Sequence, residues 1–426
     1  GIDKIPTLGW WQQWADANAI ADAMLTGDPY PVRGGLCEAS GFMNQGNSLK
    51  YWDALNSLDF FVVQDLWKTP TVGAADIVLP VLHWLEVDCP RLSQGSTGAQ
   101  GANCRCIEPP ADCHFDVDII LDVYKRMGIP WADDPVSYGL PEGVQWPTTE
   151  QLYDRTISTT GLTWQEYKEA FQEHGWWDCR AINPEVWGTY RRYETGRMSA
   201  IGETPAGNPM KGFSTPTRKQ ELWSTVMETY EPSGKFNLPS WEPAPRTELA
   251  DPSIVEEWPF LMTTGRRIPV YFHSEHRQLP WCRELWPVPK CEINPVDAEK
   301  LGVTQGDWVW IESPEGKVRQ TVDLYYGVEP GVINCEHQWW YPELDQAGGG
   351  FELSTINCLV TGEDQDPICG ASYLRAYNVK VYKATADNSP FGNPVPCGED
   401  GTPIICDASD PRLLDWMPNY EIRNEA

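Results

Sequence analysis

Five short β-rich runs follow one another between residues 260 and 336, and their spacing limits the fold more than any other feature. They are Phe260 to Thr264, Cys291 to Asn294, Asp307 to Glu312, Val318 to Leu324 and Val332 to Glu336. Many short strands at regular spacing predict a barrel. Ser313-Pro314-Glu315-Gly316 supplies a hairpin turn between two of them. Pro295 to Lys300 reads as a short helix, with Asn294 as its cap and Pro at its first position.

The first 130 residues have a different rhythm. Pro31 to Cys37 reads as a strand entering the small-residue turn Glu38-Ala39-Ser40-Gly41. Leu49 to Leu58 has helical spacing. Asp59 to Asp65 (DFFVVQD) and Ala74 to Pro80 (AADIVLP) are short apolar runs, the pattern of strands buried on both faces. Asp116 to Met127 is an amphipathic helix closed by Gly128 and Pro130. Strands alternating with helices predict an open α/β sheet. The reading divides the chain into an α/β segment (1–130), an extended connecting segment (131–250), a barrel (251–385) and a polar, Pro-rich surface tail (386–426). Two helices are expected in the connecting segment, Thr149 to Ser158 and Thr163 to Glu173.

Charge removes whole classes of partner. With 32 Lys+Arg against 61 Asp+Glu, the net charge is -29. Nucleic acids and anionic membrane surfaces are polyanions, so neither is expected to bind. No stretch of eighteen apolar residues exists to span a bilayer. The start, GIDKIPTLGWWQQW, carries no basic and apolar leader pattern. The 13 cysteines are odd in number and scattered, and read as mostly reduced core or loop thiols. Cys89, Cys104, Cys106, Cys113 and His114 lack the spacing of a paired CxxC site. His273 and His276 lie three apart without a third ligand, between Pro269 and Pro280, so that segment reads as a loop; no metal-ligating residue is assigned. Neither a GxSxG elbow, a phosphate loop of the GxxxxGK[ST] kind nor a GxGxxG fingerprint is present. Gly348-Gly349-Gly350 reads as a loop.

One region runs against the acidic background. Thr263-Thr264-Gly265-Arg266 follows an apolar strand, and by itself is either a plain strand-turn or a site for an anionic group. Arg267, His273, Ser274, His276 and Arg277 follow within eleven residues. Such a dense set of donors inside an acidic chain points to a buried polyanion.

At these residues a resemblance emerges. LMTTGRRIPVYFHSEHR, CEINPVDAEKLGVTQGDWVWIESPEGKVRQTV, GVEPGVINCEHQWW, STINCLV and DPICGASYLRAYNVKV resemble the C-terminal cofactor-binding domain of the dimethyl sulfoxide reductase family. LDFFVVQDLWKTPTVGAADIVLPVLHWLEVD resembles the segment that ends that family's dinucleotide-binding sheet. These are bis-molybdopterin guanine dinucleotide enzymes, among them formate dehydrogenases, nitrate and polysulfide-type reductases, and catechol dehydroxylases and transhydroxylases. The resemblance implies part of a Rossmann-like sheet, an extended segment and a six-stranded double-psi barrel. It implies that Thr263, Thr264, Gly265, Arg266, His273, Ser274, His276 and Arg277 contact pterin and phosphates. His337, Trp339 and Trp340 resemble the HxWW turn beside the cofactor, and Asn357 the Asn of an N-x-L element. Gln64 and Asp65 match the strand end where an acidic group accepts guanine protons, with Thr69 on the adjoining loop. The plainer reading of Trp339 and Trp340 is that they fill the core.

Departures from the family pattern shape the expectation for function. The [4Fe-4S] cysteine motif, the first dinucleotide half and the residue that ligates molybdenum or tungsten are not found ahead of Pro31. EASGFMNQ replaces the usual turn at Glu38 to Gln45, and Ser93 to Asn103 lacks the common N-x-E-G-R sequence. The chain therefore reads as the C-terminal half of an oxidoreductase, inactive alone. Its partners would be the N-terminal half, a small-molecule substrate and a ferredoxin-like electron-transfer subunit. Aromatic dehydroxylation is the preferred chemistry; polysulfide-, thiosulfate- or formate-type chemistry, a non-catalytic cofactor-binding scaffold and a small-molecule barrel enzyme that shares the double-psi fold are the alternatives. Localisation stays open between the cytoplasm and export by the twin-arginine route.

Overall fold

A computed structural model describes residues 5, 15–38, 40–92, 99–110, 112–175, 177–178, 213, 215–266, 268–273 and 275–416. The chain divides into one unit of residues 1–78 with 241–426, and a second of 79–240. In order, the elements begin with α1 (Ala17–Thr26), β1 (Gly34–Glu38), α2 (Ser48–Asn56), β2 (Phe60–Asp65) and β3 (Ile77–Pro80). Next come β4 (Cys89–Leu92), β5 (Ala99–Asn103), α3 (Asp116–Arg126), α4 (Thr149–Thr156), α5 (Trp164–His174), β6 (Trp177–Asp178) and α6 (Thr225–Tyr230). Then follow β7 (Phe260–Arg266), α7 (Pro280–Leu285), β8 (Lys290–Ile293), α8 (Pro295–Leu301), β9 (Trp308–Ser313), β10 (Gly316–Leu324), β11 (Val332–Glu336) and β12 (Tyr377–Lys383).

The expected barrel closes from six strands in the order β10-β8-β11-β7-β12-β9. The β7–β11 and β8–β10 pairs are parallel, and the other four pairs are antiparallel. Met262, Ile293, Ile311, Val318, Ile333 and Val379 fill its core. The sixth strand, β12, escaped the residue-by-residue reading because YNVKVYK stands apart from the regular run of the other five. The short helix α8 is capped as its sequence predicts: the Asn294 side chain accepts from the Val296 N–H, and Gly302 closes it in the left-handed region. β9 and β10 meet at Ser313 and Gly316, the predicted hairpin.

Near the N-terminal end, β1, β2 and β3 form a sheet in that order, and β1 and β2 are parallel. Cys37, Phe61 and Val63 join Tyr51, Ala54 and Leu55 of α2 and Ala21 of α1 in one core. β3 starts later than predicted. Pro70–Ala74 is a 3-10 turn, and β3 follows once Asp76 accepts the Phe61 N–H at 2.7 Å. The second unit holds an antiparallel β4-β5-β6 sheet and a core of Ala102, Tyr153, Ile157, Trp164 and Tyr167. Thr148 with Gln151, and Thr163 with Glu166, form the capping boxes that start α4 and α5.

The C-terminal segment is not the surface tail its composition implied. Cys397, Ile404, Ile405 and Leu413 are buried. The Arg283 guanidinium donates to both oxygens of Glu343 at 2.9 and 2.8 Å and to the Ile405 carbonyl at 3.0 Å. Glu343 also accepts the Ile405 N–H at 2.7 Å. Arg319 donates to the carbonyls of Asn393 and Pro394, both at 3.0 Å. Buried cations need acceptors, and the polar segment supplies them. Arg283→Met strands the buried Glu343 carboxylate and is expected to cost about 3–5 kcal/mol in urea unfolding. A loss below about 1 kcal/mol, the scale of an exposed pair, would refute the role of this strap.

Candidate functional site

Strands β7 and β11 run parallel, so their C-terminal ends reach the same rim of the barrel. A register shift between Asn334 and Glu336 brings Glu336 opposite Arg266. The loops that leave these ends therefore start side by side. One carries His273 and His276, the other His337, Gln338, Trp339 and Trp340. His273, His276 and Gln338 all hold positive φ, at 49°, 71° and 56°. A non-glycine backbone in that region needs support from its surroundings.

Arg277 gives that support. Its guanidinium lies 3.9 Å from the Tyr271 ring centroid and 4.6 Å from that of Trp339. It donates to the Glu275 carbonyl at 3.0 Å, the His273 carbonyl at 3.1 Å and the Gln338 carbonyl at 3.3 Å. Burial pulls its pKa down to about 10, so it stays charged at neutral pH. The sequence pointed to an anion contact for Arg277; the structure commits its terminal nitrogens to the two loops, and its Nε has no partner among the described residues. His273 Nδ1 and Gln338 Oε1 are 3.0 Å apart, and the His273 and His337 rings meet edge to face at 5.7 Å. A crevice of about 10 Å³ remains between Tyr271, His273, His337 and Trp339.

The other sequence-selected residues divide between exposed and occupied positions. Gly265 is exposed near the end of β7 and Thr263 is half-buried at mid-strand, whereas the Thr264 hydroxyl donates to the Leu374 carbonyl at 2.5 Å. Asn357 donates to the Asn44 carbonyl at 2.6 Å. Trp339 is buried against Tyr271 and Tyr341, and Trp340 joins the main core. The backbone of Arg266 ends β7; its side chain, with Arg267 and Ser274, lies outside the described residues.

At the end of β2, Gln64 is fully buried and both its amide oxygen and its amide nitrogen lack a partner. Next to it, Asp65 accepts the Trp67 N–H at 3.0 Å and the Thr69 hydroxyl at 3.3 Å. Burial raises the Asp65 carboxyl above its ordinary value, against those donors. The strand-end loop touches the histidine loop. The Trp67 and His276 rings meet at 5.6 Å, and Gln278 donates to the Lys68 carbonyl at 3.4 Å.

Beside Thr69 opens a cavity of about 530 Å³ whose walls include Lys68, Gly73, Gln278, Trp340 and Gly349. That volume suits a small organic ligand. Sequence reasoning selected Thr69 and Trp340 but missed the rest. A Cβ on Gly73 would collide with the Gly348 backbone nitrogen, and one on Gly349 would come within 2.9 Å of the Trp340 indole. The triple glycine that read as a loop is thus a wall, and Gly348, Gly349 and Gly350 all adopt positive φ. Three consecutive glycines after an aromatic stretch were the available signal; their partner, Gly73, was too remote in sequence to be read.

Comparison with known proteins agrees with this architecture. Residues 260–377 match the Molydopterin dinucleotide binding domain. The chain is 49% identical over 459 aligned positions to dopamine dehydroxylase of Eggerthella lenta, covering 99% of this chain and 45% of that protein. It is 29% identical to acetylene hydratase of Syntrophotalea acetylenica, over 87% of this chain and 46% of that protein. A solved structure of acetylene hydratase from Pelobacter acetylenicus superposes with a TM-score of 0.71 at 26% identity, covering 87% of this chain and 46% of that one. The chain belongs to the dimethyl sulfoxide reductase family of molybdopterin enzymes, as a relative of a catechol dehydroxylase. It spans about half the length of the curated relatives it matches.

Asp65 gives the site a pH signature. Its folded pKa lies above the unfolded one, so stability is lost as pH rises from about 4 through the raised value. Asp65→Asn should therefore be more stable than the cofactor-free parent at pH 7 and equal to it below about pH 4. Urea midpoints across that range test this; a parent that is the more stable protein at pH 7 would contradict it.

Proposed function

We propose that this chain is the C-terminal cofactor-binding part of a bis-molybdopterin guanine dinucleotide oxidoreductase. The observation that carries the reading is the end of β2, where the unpartnered Gln64 amide adjoins the half-buried Asp65 carboxylate and the cavity beside Thr69. A buried amide without a partner costs about 1–3 kcal/mol, and a hydrogen-bonding base can recover it. Asp65 is positioned to accept protons from a guanine, and Thr69 and Lys68 to hold its sugar and phosphates. Thr263, Gly265, His273, His276 and His337 face the pterin and phosphate end. Arg277 and Trp339 act behind them by fixing the loops, while Asn357 and the Thr264 hydroxyl brace the backbone.

When bound, molybdenum or tungsten supplies the two-electron chemistry, with its protein ligand and a [4Fe-4S] cluster carried by the remainder of the enzyme. The 49% identity to a dopamine dehydroxylase supports reductive dehydroxylation of an aromatic substrate. In that reaction a carbon–oxygen bond breaks, two electrons and two protons enter, and water leaves. A ferredoxin-like subunit is the fitting electron donor.

Asp65→Asn in the complete enzyme removes a charge-assisted contact to guanine, and the guanine nucleotide released on acid denaturation should fall at least about tenfold. Unchanged nucleotide content would overturn the assignment. This chain alone is expected to hold no stoichiometric molybdenum or tungsten and to turn nothing over. Elemental analysis and an activity assay on it are decisive, because metal with turnover would place the metal ligand here.

A further inference from the structure

His273 and Gln338 stand on different loops, and one cation sets the distance between them. Arg277 Nη2 donates to the His273 carbonyl at 3.1 Å and to the Gln338 carbonyl at 3.3 Å. Both residues hold positive φ, at 49° and 56°. Such strain persists only where the surroundings over-determine it, and it clusters at ligand sites. The side chains that these two backbones carry meet: His273 Nδ1 lies 3.0 Å from Gln338 Oε1. The imidazole also stands edge to face with Phe272 at 4.2 Å and with His337 at 5.7 Å, which limits its rotation.

An amide oxygen only accepts, so the nitrogen that faces it is the one that carries the proton. A neutral imidazole has a single N–H, and the bond made at one nitrogen decides the state of the other. Nε2 is then an acceptor, and among the described residues nothing donates to it. The crevice that His273 borders is also lined by Arg277, Glu336 and His337. The cation and the carboxylate act in opposite directions on an imidazolium. The neutral Gln338 amide orients the ring without adding a charge of its own.

We infer that Gln338 is a positioning residue: it holds the proton of neutral His273 on Nδ1, so that Nε2 meets the cofactor as an acceptor, toward an N–H of the pterin rather than a phosphate oxygen. The inference rests on the reading above that this rim receives a molybdopterin dinucleotide. That ligand offers two kinds of group to the histidine loop. Ionised phosphate oxygens only accept and make no hydrogen bond with a bare Nε2, whereas a pterin carries ring N–H and amino donors. The tautomer therefore selects between the two ends of the ligand, and the residue that sets it lies on the opposite loop.

The test is NMR of isotope-labelled histidine ring nitrogens in this chain. It has six histidines, and His273→Asn identifies the signals of one. Spectra taken at about pH 8.5, about two units above the ordinary histidine value, show which nitrogen is protonated. His273 should carry its proton on Nδ1. Gln338→Leu removes the acceptor at similar size and should lower the ratio of Nδ1- to Nε2-protonated ring at least about fivefold, the worth of one neutral hydrogen bond. Gln338→Glu restores an acceptor and should keep Nδ1 protonated. A parent with its proton on Nε2 would overturn the inference, as would an unchanged ratio in Gln338→Leu; the parent and Gln338→Glu spectra decide it should that variant not fold. In the complete enzyme, Gln338→Leu should lower the guanine nucleotide retained after gel filtration at least about fivefold, the same bond read from the ligand. Unchanged retention beside a shifted tautomer would overturn the contact to the pterin and leave the cofactor reading standing. A parent enzyme that releases no guanine nucleotide would sink the cofactor reading, and the pterin contact with it, whatever the tautomer.

Discussion

The buried Arg277 guanidinium is the interaction on which the arrangement of the site depends. It lies between the rings of Tyr271 and Trp339, and its donors reach the carbonyls of His273, Glu275 and Gln338. Those carbonyls belong to two loops far apart in sequence that leave adjacent strands. A lysine could not substitute, because a single ammonium lacks the planar fork that spans separate acceptors and stacks on two rings. The cost of burying this cation is offset by aromatic faces, carbonyl oxygens and the charge of Glu336. The buried Glu336 carboxylate lines the same crevice and favours the charged form of Arg277.

The topology explains why these loops meet at all. In an antiparallel pair the C-terminal ends of neighbouring strands point opposite ways. The parallel β7–β11 pair instead sends both chains out at one rim. In the same unit, the end of β2 delivers Gln64 and Asp65, and the loop after it meets the histidine loop through Trp67 and His276. Three strand ends thus converge, each with a short loop bearing polar groups. Such strand ends are where α/β proteins bind ligands, since backbone groups there have no ladder partner.

The barrel was legible because its strands are short, regularly spaced and punctuated by Pro, Gly and Asn. The helix α8 was legible down to its cap. What could not be read was the direction of individual side chains. Arg277 and His273 sit in one basic cluster, yet one turns inward under the loop and the other lies at its surface. Nothing local distinguishes them; Tyr271 and Trp339, which receive the guanidinium, become neighbours only through the barrel. The C-terminal segment failed for the same reason. Its polar, Pro-rich composition describes a surface stretch, but the acceptors it offers are consumed by Arg283 and Arg319, residues fixed by the barrel and its adjoining helix. The cavity wall of Gly73 and Gly348 likewise joins two turns that look ordinary in isolation.

Two fully buried polar side chains, Arg283 and Gln64, are held in opposite ways. Arg283 is as buried as any residue in the chain, and Glu343 and Ile405 hold it. Such a group stabilises a strap and asks for nothing more. Gln64 is equally buried and has no partner for either amide atom, Gln278 Oε1 and Trp339 Nε1 have none, and Asp65 is held at a raised pKa by the same burial. Gln64, Asp65 and Gln278 gather at the β2 end, whereas elsewhere Tyr153 Oη, Asn237 Oδ1 and Arg319 Nε also lack partners among the described residues. Replacing Gln64 by an apolar residue would remove the penalty of its bare amide. The bare Gln64 amide is a cost to the free protein at a strand end beside a cavity, and the cofactor proposed above offers it a partner.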